Sequence, residues 1–191
     1  MEVNNLTNSV NSQLAKFIVY ACPTGELNSQ LEAFFQRSYE ICGKNKAHDY
    51  MPHCTLTGFF ADNKNSIPYY LEALEQAYQE VQQSQDISLD LQIMRLVFSS
   101  KWHGLELQAE GIKKLTQRFF QLEASPSRQE NIRLKDWLHL SLAYGFESAD
   151  RSQLEQIAKE TVDLDANVVW ELRFYQKNDA DWHCLKSWTL E

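Results

Sequence analysis

Two four-residue runs with one grammar constrain this chain most: His53-Cys54-Thr55-Leu56 and His139-Leu140-Ser141-Leu142. Each stands in an apolar stretch ending in aromatics, HCTLTGFF (53–60) and LHLSLAYGF (138–146), which predicts strands. In a strand, residues i and i+2 share a face. Each run therefore presents an imidazole and a hydroxyl on one side. Cys54 and Leu56, or Leu140 and Leu142, face the other. Two such strands laid together would gather two histidines and two hydroxyls around one cavity. The other histidines (His48, His103, His183) lack the pattern.

The rest of the chain supplies two halves of similar grammar. Phe17 to Ala21 reads as a buried strand ending before Pro23. A helix then carries Leu27, Leu31, Phe34, Phe35 and Ile41 to a stop at Gly43. Gly43 to Pro52 is a loop, and Ser66 before Pro68 opens a second helix with Leu71, Leu74, Tyr78 and Val81 on one face. Ile87, Leu89, Leu91 and Ile93 alternate as in a half-buried strand. A turn through Trp102 and His103 leads to a strand over Gly104 to Gln108. Ile112, Leu115 and Phe119 mark a third helix. Asp150 and Gln153 suggest a capping box for a fourth, and strands over 168–176 and 182–190 close the chain around the turn at Asp179 to Asp181. The first dozen residues read as a loose leader, and residues 13–191 as one α+β domain of two pseudo-equivalent lobes.

The 191 residues are 43% hydrophobic and 12% aromatic, enough for a real core. A net charge of −8 argues against binding duplex DNA or an anionic membrane through bulk electrostatics. No apolar run reaches the length of a transmembrane helix, and no secretory signal opens the chain. Cys22, Cys42, Cys54 and Cys184 are widely spaced in apolar or strand-like contexts, which reads as buried free thiols in a reducing cytoplasm. Without a C-x-x-C or H-x-x-x-H pattern, neither a metal nor another cofactor is expected.

Two imidazoles and two hydroxyls suit phosphoryl transfer. Cleaving a phosphodiester needs a base for the attacking water and an acid for the leaving oxygen. Imidazoles with pKa near ~6.5 can hold opposite protonation states near neutrality. Hydroxyl donors can carry the charge on the phosphoryl oxygens without a metal.

With the longer segment ICGKNKAHDYMPHCTLTGFF (41–60) and Pro23 to Leu27, the tetrads resemble the 2H phosphoesterase superfamily, defined by two H-x-[ST]-hydrophobic motifs. Within it the chain looks most like the 2H domain of the TULA family, the suppressors of T-cell receptor signalling, from about Phe17 to Ile157. The resemblance implies two α/β lobes with antiparallel sheets flanking a central groove. It also implies hydrolysis of 2′,3′-cyclic nucleotides or related RNA ends, with His53, Thr55, His139 and Ser141 as the motif residues. By analogy His139 would activate water and His53 protonate the leaving oxygen, although the symmetry allows either order. The ubiquitin-binding, SH3 and phosphatase domains of TULA proteins have no counterpart here. The chain reads as a freestanding version of the module, and no protein partner is evident.

Around the motifs, Lys44, Lys46 and His48 lie in the loop entering the first tetrad and either contact phosphate or belong to a solvated loop. Trp102 either stacks a base or covers an apolar edge. Tyr20 can face either way. Tyr144 belongs to the core unless a bulge turns it. Trp137, Trp170, Trp182 and Trp188 read as packing residues. Two competing readings remain: an enzyme acting on 2′,5′-linked oligonucleotides, and a module that binds a nucleotide or RNA end without cleaving it.

Overall fold

The computed structural model describes residues 14–84, 87–178 and 181–190. The expected leader, and Asp179 and Ala180 of the last turn, lie outside the described residues. In chain order the elements are β1 (Leu14–Gly25), α1 (Glu26–Cys42), β2 (Cys54–Thr55), β3 (Phe60–Asn63), α2 (Ile67–Gln82), β4 (Gln92–Phe98), β5 (Trp102–Gln108), α3 (Glu110–Leu122), β6 (His139–Tyr144), α4 (Arg151–Thr161), β7 (Val168–Asn178) and β8 (Asp181–Leu190). This is an α+β fold with an antiparallel sheet. The strands join in the order β4-β5-β6-β2-β1-β7-β8, with β3 also on β1.

Alternation along β1 explains the layering. Phe17, Val19 and Ala21 enter the main core with Leu31 and Phe34 of α1, Tyr70 and Leu74 of α2, Ile112 and Phe119 of α3, and Leu154 and Ile157 of α4. Phe17 stacks within 5.6 Å of Phe174 and lies 5.8 Å from Tyr70. The intervening Ile18, Tyr20 and Cys22 face the other way, into a smaller cluster with Tyr175, Met51, Phe59 and Trp182. Helices thus cover one face of the sheet, and the opposite face carries the motif histidines.

Several sequence expectations are corrected. β1 runs through Pro23, because beyond Ala21 only β7 pairs with it, and an edge position tolerates a residue without an N–H. The first motif strand is broken after Thr55. Leu56 and Thr57 both donate to the Val19 carbonyl (3.0 and 3.4 Å), and the Thr57 hydroxyl accepts from Val19 N–H (3.1 Å). Residues 87–91 alternate in burial but are not in a strand until Gln92. Trp102 and His103 belong to β5, not to the turn before it. Asp150 makes no side-chain cap; a capping box forms instead at Asn45 and His48. Trp137 is 51% exposed, unlike buried Trp170 and Trp188. Cys22 and Cys54 are buried free thiols, but Cys184 is exposed.

Candidate active site

The two motif strands meet at the middle of the sheet. β2 and β6 are antiparallel, with Cys54 opposite Leu140. Extending that register one residue each way sets His53 opposite Ser141 and Thr55 opposite His139. On that register each imidazole is set across from the other tetrad's hydroxyl, in the arrangement of a cross-strand pair. All four side chains line one cavity of about 390 Å³, a size suited to a small ligand.

Both rings are held alike. His53 Nδ1 bonds the Met51 carbonyl at 2.7 Å, and His139 Nδ1 the Trp137 carbonyl at 3.3 Å. A carbonyl only accepts, so Nδ1 carries the proton in the neutral ring, and Nε2 keeps the free lone pair. Each ring also lies on an aromatic: His53 on Tyr20 at 3.9 Å, His139 on Trp137 at 4.0 Å. Burial pushes the His53 pKa down to about 4. The Met51 hydrogen bond opposes that shift, and the facing His139 adds to it. His139 also lies below the usual imidazole value, through burial and the nearby Lys135 charge, against the Trp137 bond.

Ser141 has a partner that Thr55 lacks among the described residues. The Trp102 indole N–H, a donor only, gives its hydrogen bond to Ser141 Oγ at 2.9 Å. The hydroxyl proton of Ser141 is thereby left for the cavity. The indole reaches across the strand because residue 104 is glycine. A Cβ there would lie 2.3 Å from the Leu140 carbonyl and 2.4 Å from the Trp102 ring.

The other sequence candidates divide. Tyr20, Trp102 and Tyr144 line the cavity. Tyr144 does so because a bulge sets an extra β6 residue, Leu142, opposite the step from His103 to Gly104 and turns Tyr144 to the motif face. Lys44, Lys46 and His48 do not line it. Lys44 pairs with Asp49 at 2.6 Å, and the Lys46 stem lies against Gly145. His48 is a loop brace: its Nδ1 accepts from Asn45 N–H (3.0 Å), and Nε2 donates to the Phe35 carbonyl (3.0 Å).

Sequence reasoning missed Tyr50, Phe59, Arg133 and Lys135, which also line the cavity. Gly58 N–H donates to the Arg133 carbonyl (2.6 Å) and Lys135 N–H to the Leu56 carbonyl (3.0 Å), around a bridge between Thr57 and Leu134. That pairing turns Arg133 and Lys135 to the same side. Buried Asp62 secures the loop before them, accepting from the Ser125 and Ser127 hydroxyls at 2.5 and 2.6 Å. The alternation Arg-Leu-Lys just ahead of the second tetrad was the available signal. Among the described residues, no group of His, Cys, Asp and Glu is placed to hold a metal ion, and no helix is long and apolar enough to cross a membrane.

No family model matches the chain. Ubiquitin-associated and SH3 domain-containing protein B of Mus musculus is 32% identical over 166 residues, covering 85% of this chain and 25% of that protein. Ecdysteroid-phosphate phosphatase of Bombyx mori is 31% identical over 166 residues, covering 85% and 24%. Among solved structures, E. coli LigT in apo form aligns with a TM-score of 0.49 at 17% identity, over 94% of this chain and 99% of that one. The chain spans about a quarter of the length of the curated relatives it matches. By sequence it is a homologue of one segment of the ubiquitin-associated and SH3 domain-containing proteins and of the ecdysteroid-phosphate phosphatases.

Proposed function

We propose that this chain is a metal-independent phosphodiesterase that opens 2′,3′-cyclic phosphates of nucleotides or RNA ends by paired-histidine acid–base catalysis. The observation that carries this reading is the quartet His53, Thr55, His139 and Ser141 in one cavity, each imidazole across from the other tetrad's hydroxyl. In the mechanism, one neutral Nε2 takes a proton from water as it attacks phosphorus. The other, protonated, Nε2 gives its proton to the departing ribose oxygen. Thr55 and Ser141 donate to the non-bridging oxygens, where charge builds.

The electrostatics support His53 as the base and His139 as the acid, the reverse of the order the resemblance suggests. Burial keeps His53 neutral down to about pH 4. In a singly protonated pair the proton then resides on His139. Relatives named for phosphatase activity are compatible with phosphate-ester chemistry, and the match covers 24% of such a protein.

The test is hydrolysis of the four 2′,3′-cyclic nucleotides in excess EDTA. Turnover insensitive to the chelator is the expected result. Binding without turnover, for cyclic nucleotides and longer RNA ends alike, would instead favour a recognition module.

A further inference from the structure

The chain carries 26 acidic residues against 18 basic ones, yet among the described residues no Asp or Glu lines the cavity between the motif strands, while Arg133 and Lys135 do. Neither cation is in an ion pair among the described residues. The Arg133 guanidinium lies beside Gly58, where an added Cβ would sit 3.2 Å from Nε and Nη2. Gly58 is three residues beyond Thr55, so their Cα atoms lie no more than about 11 Å apart. A cyclic phosphodiester bears one negative charge, already faced by Thr55, Ser141 and one protonated imidazole. Two more cations leave positive charge that such a substrate does not neutralise. In a concave site of one sign, the potential is focused on whatever enters.

We propose that Arg133 and Lys135 form a second anion subsite, so that the preferred substrate carries a phosphate beyond the scissile one. The inference rests on the phosphodiesterase reading. The shared chemistry is that of a 5′-phosphate on the same nucleotide or of the next internucleotide phosphate in a strand.

The experiment compares three substrates in EDTA: adenosine 2′,3′-cyclic phosphate, its 5′-phosphorylated form, and a dinucleotide ending in a 2′,3′-cyclic phosphate. The parent should favour at least one phosphate-bearing substrate tenfold or more in kcat/KM, mainly through KM. Which one gains identifies the source of the second phosphate. Arg133→Gln and Lys135→Gln should each cut the preference at least fivefold. A parent with no preference overturns the subsite, and so do variants that lose equally on all three, since the cations would then serve the scissile phosphate.

If the parent turns over none of them, the phosphodiesterase reading has failed and binding decides the subsite. Adenosine 3′,5′-bisphosphate should then bind at least tenfold tighter than adenosine 3′-monophosphate, with the difference lost in Arg133→Gln. Equal affinities would overturn it.

Discussion

The same tetrad grammar sits in two unlike surroundings. His53 lies against Tyr20, which is 1% exposed, and its nearest stacked ring belongs to a strand interior to the sheet. His139 lies against Trp137, which is 51% exposed, beside the Lys135 charge. One wall is shielded and neutral; the other is more open and easier to protonate. Symmetry in the sequence thus becomes a difference in protonation through burial, on which the proposed acid and base roles rest. What differs between the walls is the solvent each ring keeps.

The largest expected effect comes from removing either ring. His53→Ala and His139→Ala should each lower kcat on a 2′,3′-cyclic nucleotide by about 10³-fold, within the usual span for a general acid or base. The double variant should lose little more, since the two act as a unit. An aryl phosphodiester with a nitrophenolate leaving group separates the roles, because that group departs without a proton. His139→Ala should recover most of its deficit on the aryl ester, whereas His53→Ala should not. Recovery by His53→Ala instead would restore the opposite order of acid and base.

A pH profile sharpens the same contrast. With His53 as base, kcat/KM falls as pH drops through about 4, where that ring takes up a proton. With His139 as acid, kcat/KM also falls as pH rises through the His139 pKa, held below the ordinary imidazole value of 6.5. The expected result is a bell with its maximum on the acid side of 6.5, measured with chemistry rate-limiting. A plateau extending unchanged from pH 5 to 8 would count against paired-histidine catalysis.

The period-two pattern made the tetrads legible. Alternation alone places His53 with Thr55 and His139 with Ser141, and β2 and β6 are adjacent as that reading requires. Features set by a partner strand were not legible. Tyr144 reaches the cavity through a bulge that depends on how β5 pairs with β6. Arg133 and Lys135 alternate with Ile132 and Leu134, but which way that alternation faces is set by pairing with residues 56–58. His48, attractive as a loop histidine ahead of the motif, has its hydrogen bonds taken by Asn45, Ser38 and Phe35. A sequence shows a residue's chemistry more readily than whether its neighbours have already used it.

A smaller effect is expected where one hydroxyl is oriented and the other is not. Trp102→Phe keeps the aromatic ring over Gly104 but removes the donor to Ser141 Oγ. The hydroxyl can then turn its proton away from the cavity. The expected loss is about tenfold in kcat with KM little changed, since the bond orients a donor to the transition state. In a Ser141→Ala background the same change should cost almost nothing further. A full additional loss there would assign Trp102 to substrate binding or to packing.

The smallest effect tests whether burial is what separates the walls. Trp137 covers one face of the His139 ring, and replacing it with alanine opens that ring to water. Less desolvation favours the charged form, so the His139 pKa should rise toward its ordinary value while that of His53 stays near 4. Imidazole titration followed by nuclear magnetic resonance reads both rings in one experiment. The basic limb of the pH profile should move up with His139 and the acid limb stay in place, with kcat altered less than tenfold. If both titrations move together, the rings are coupled through their mutual charge more than by their separate environments. The two walls would then share one proton rather than divide the acid and base roles by burial.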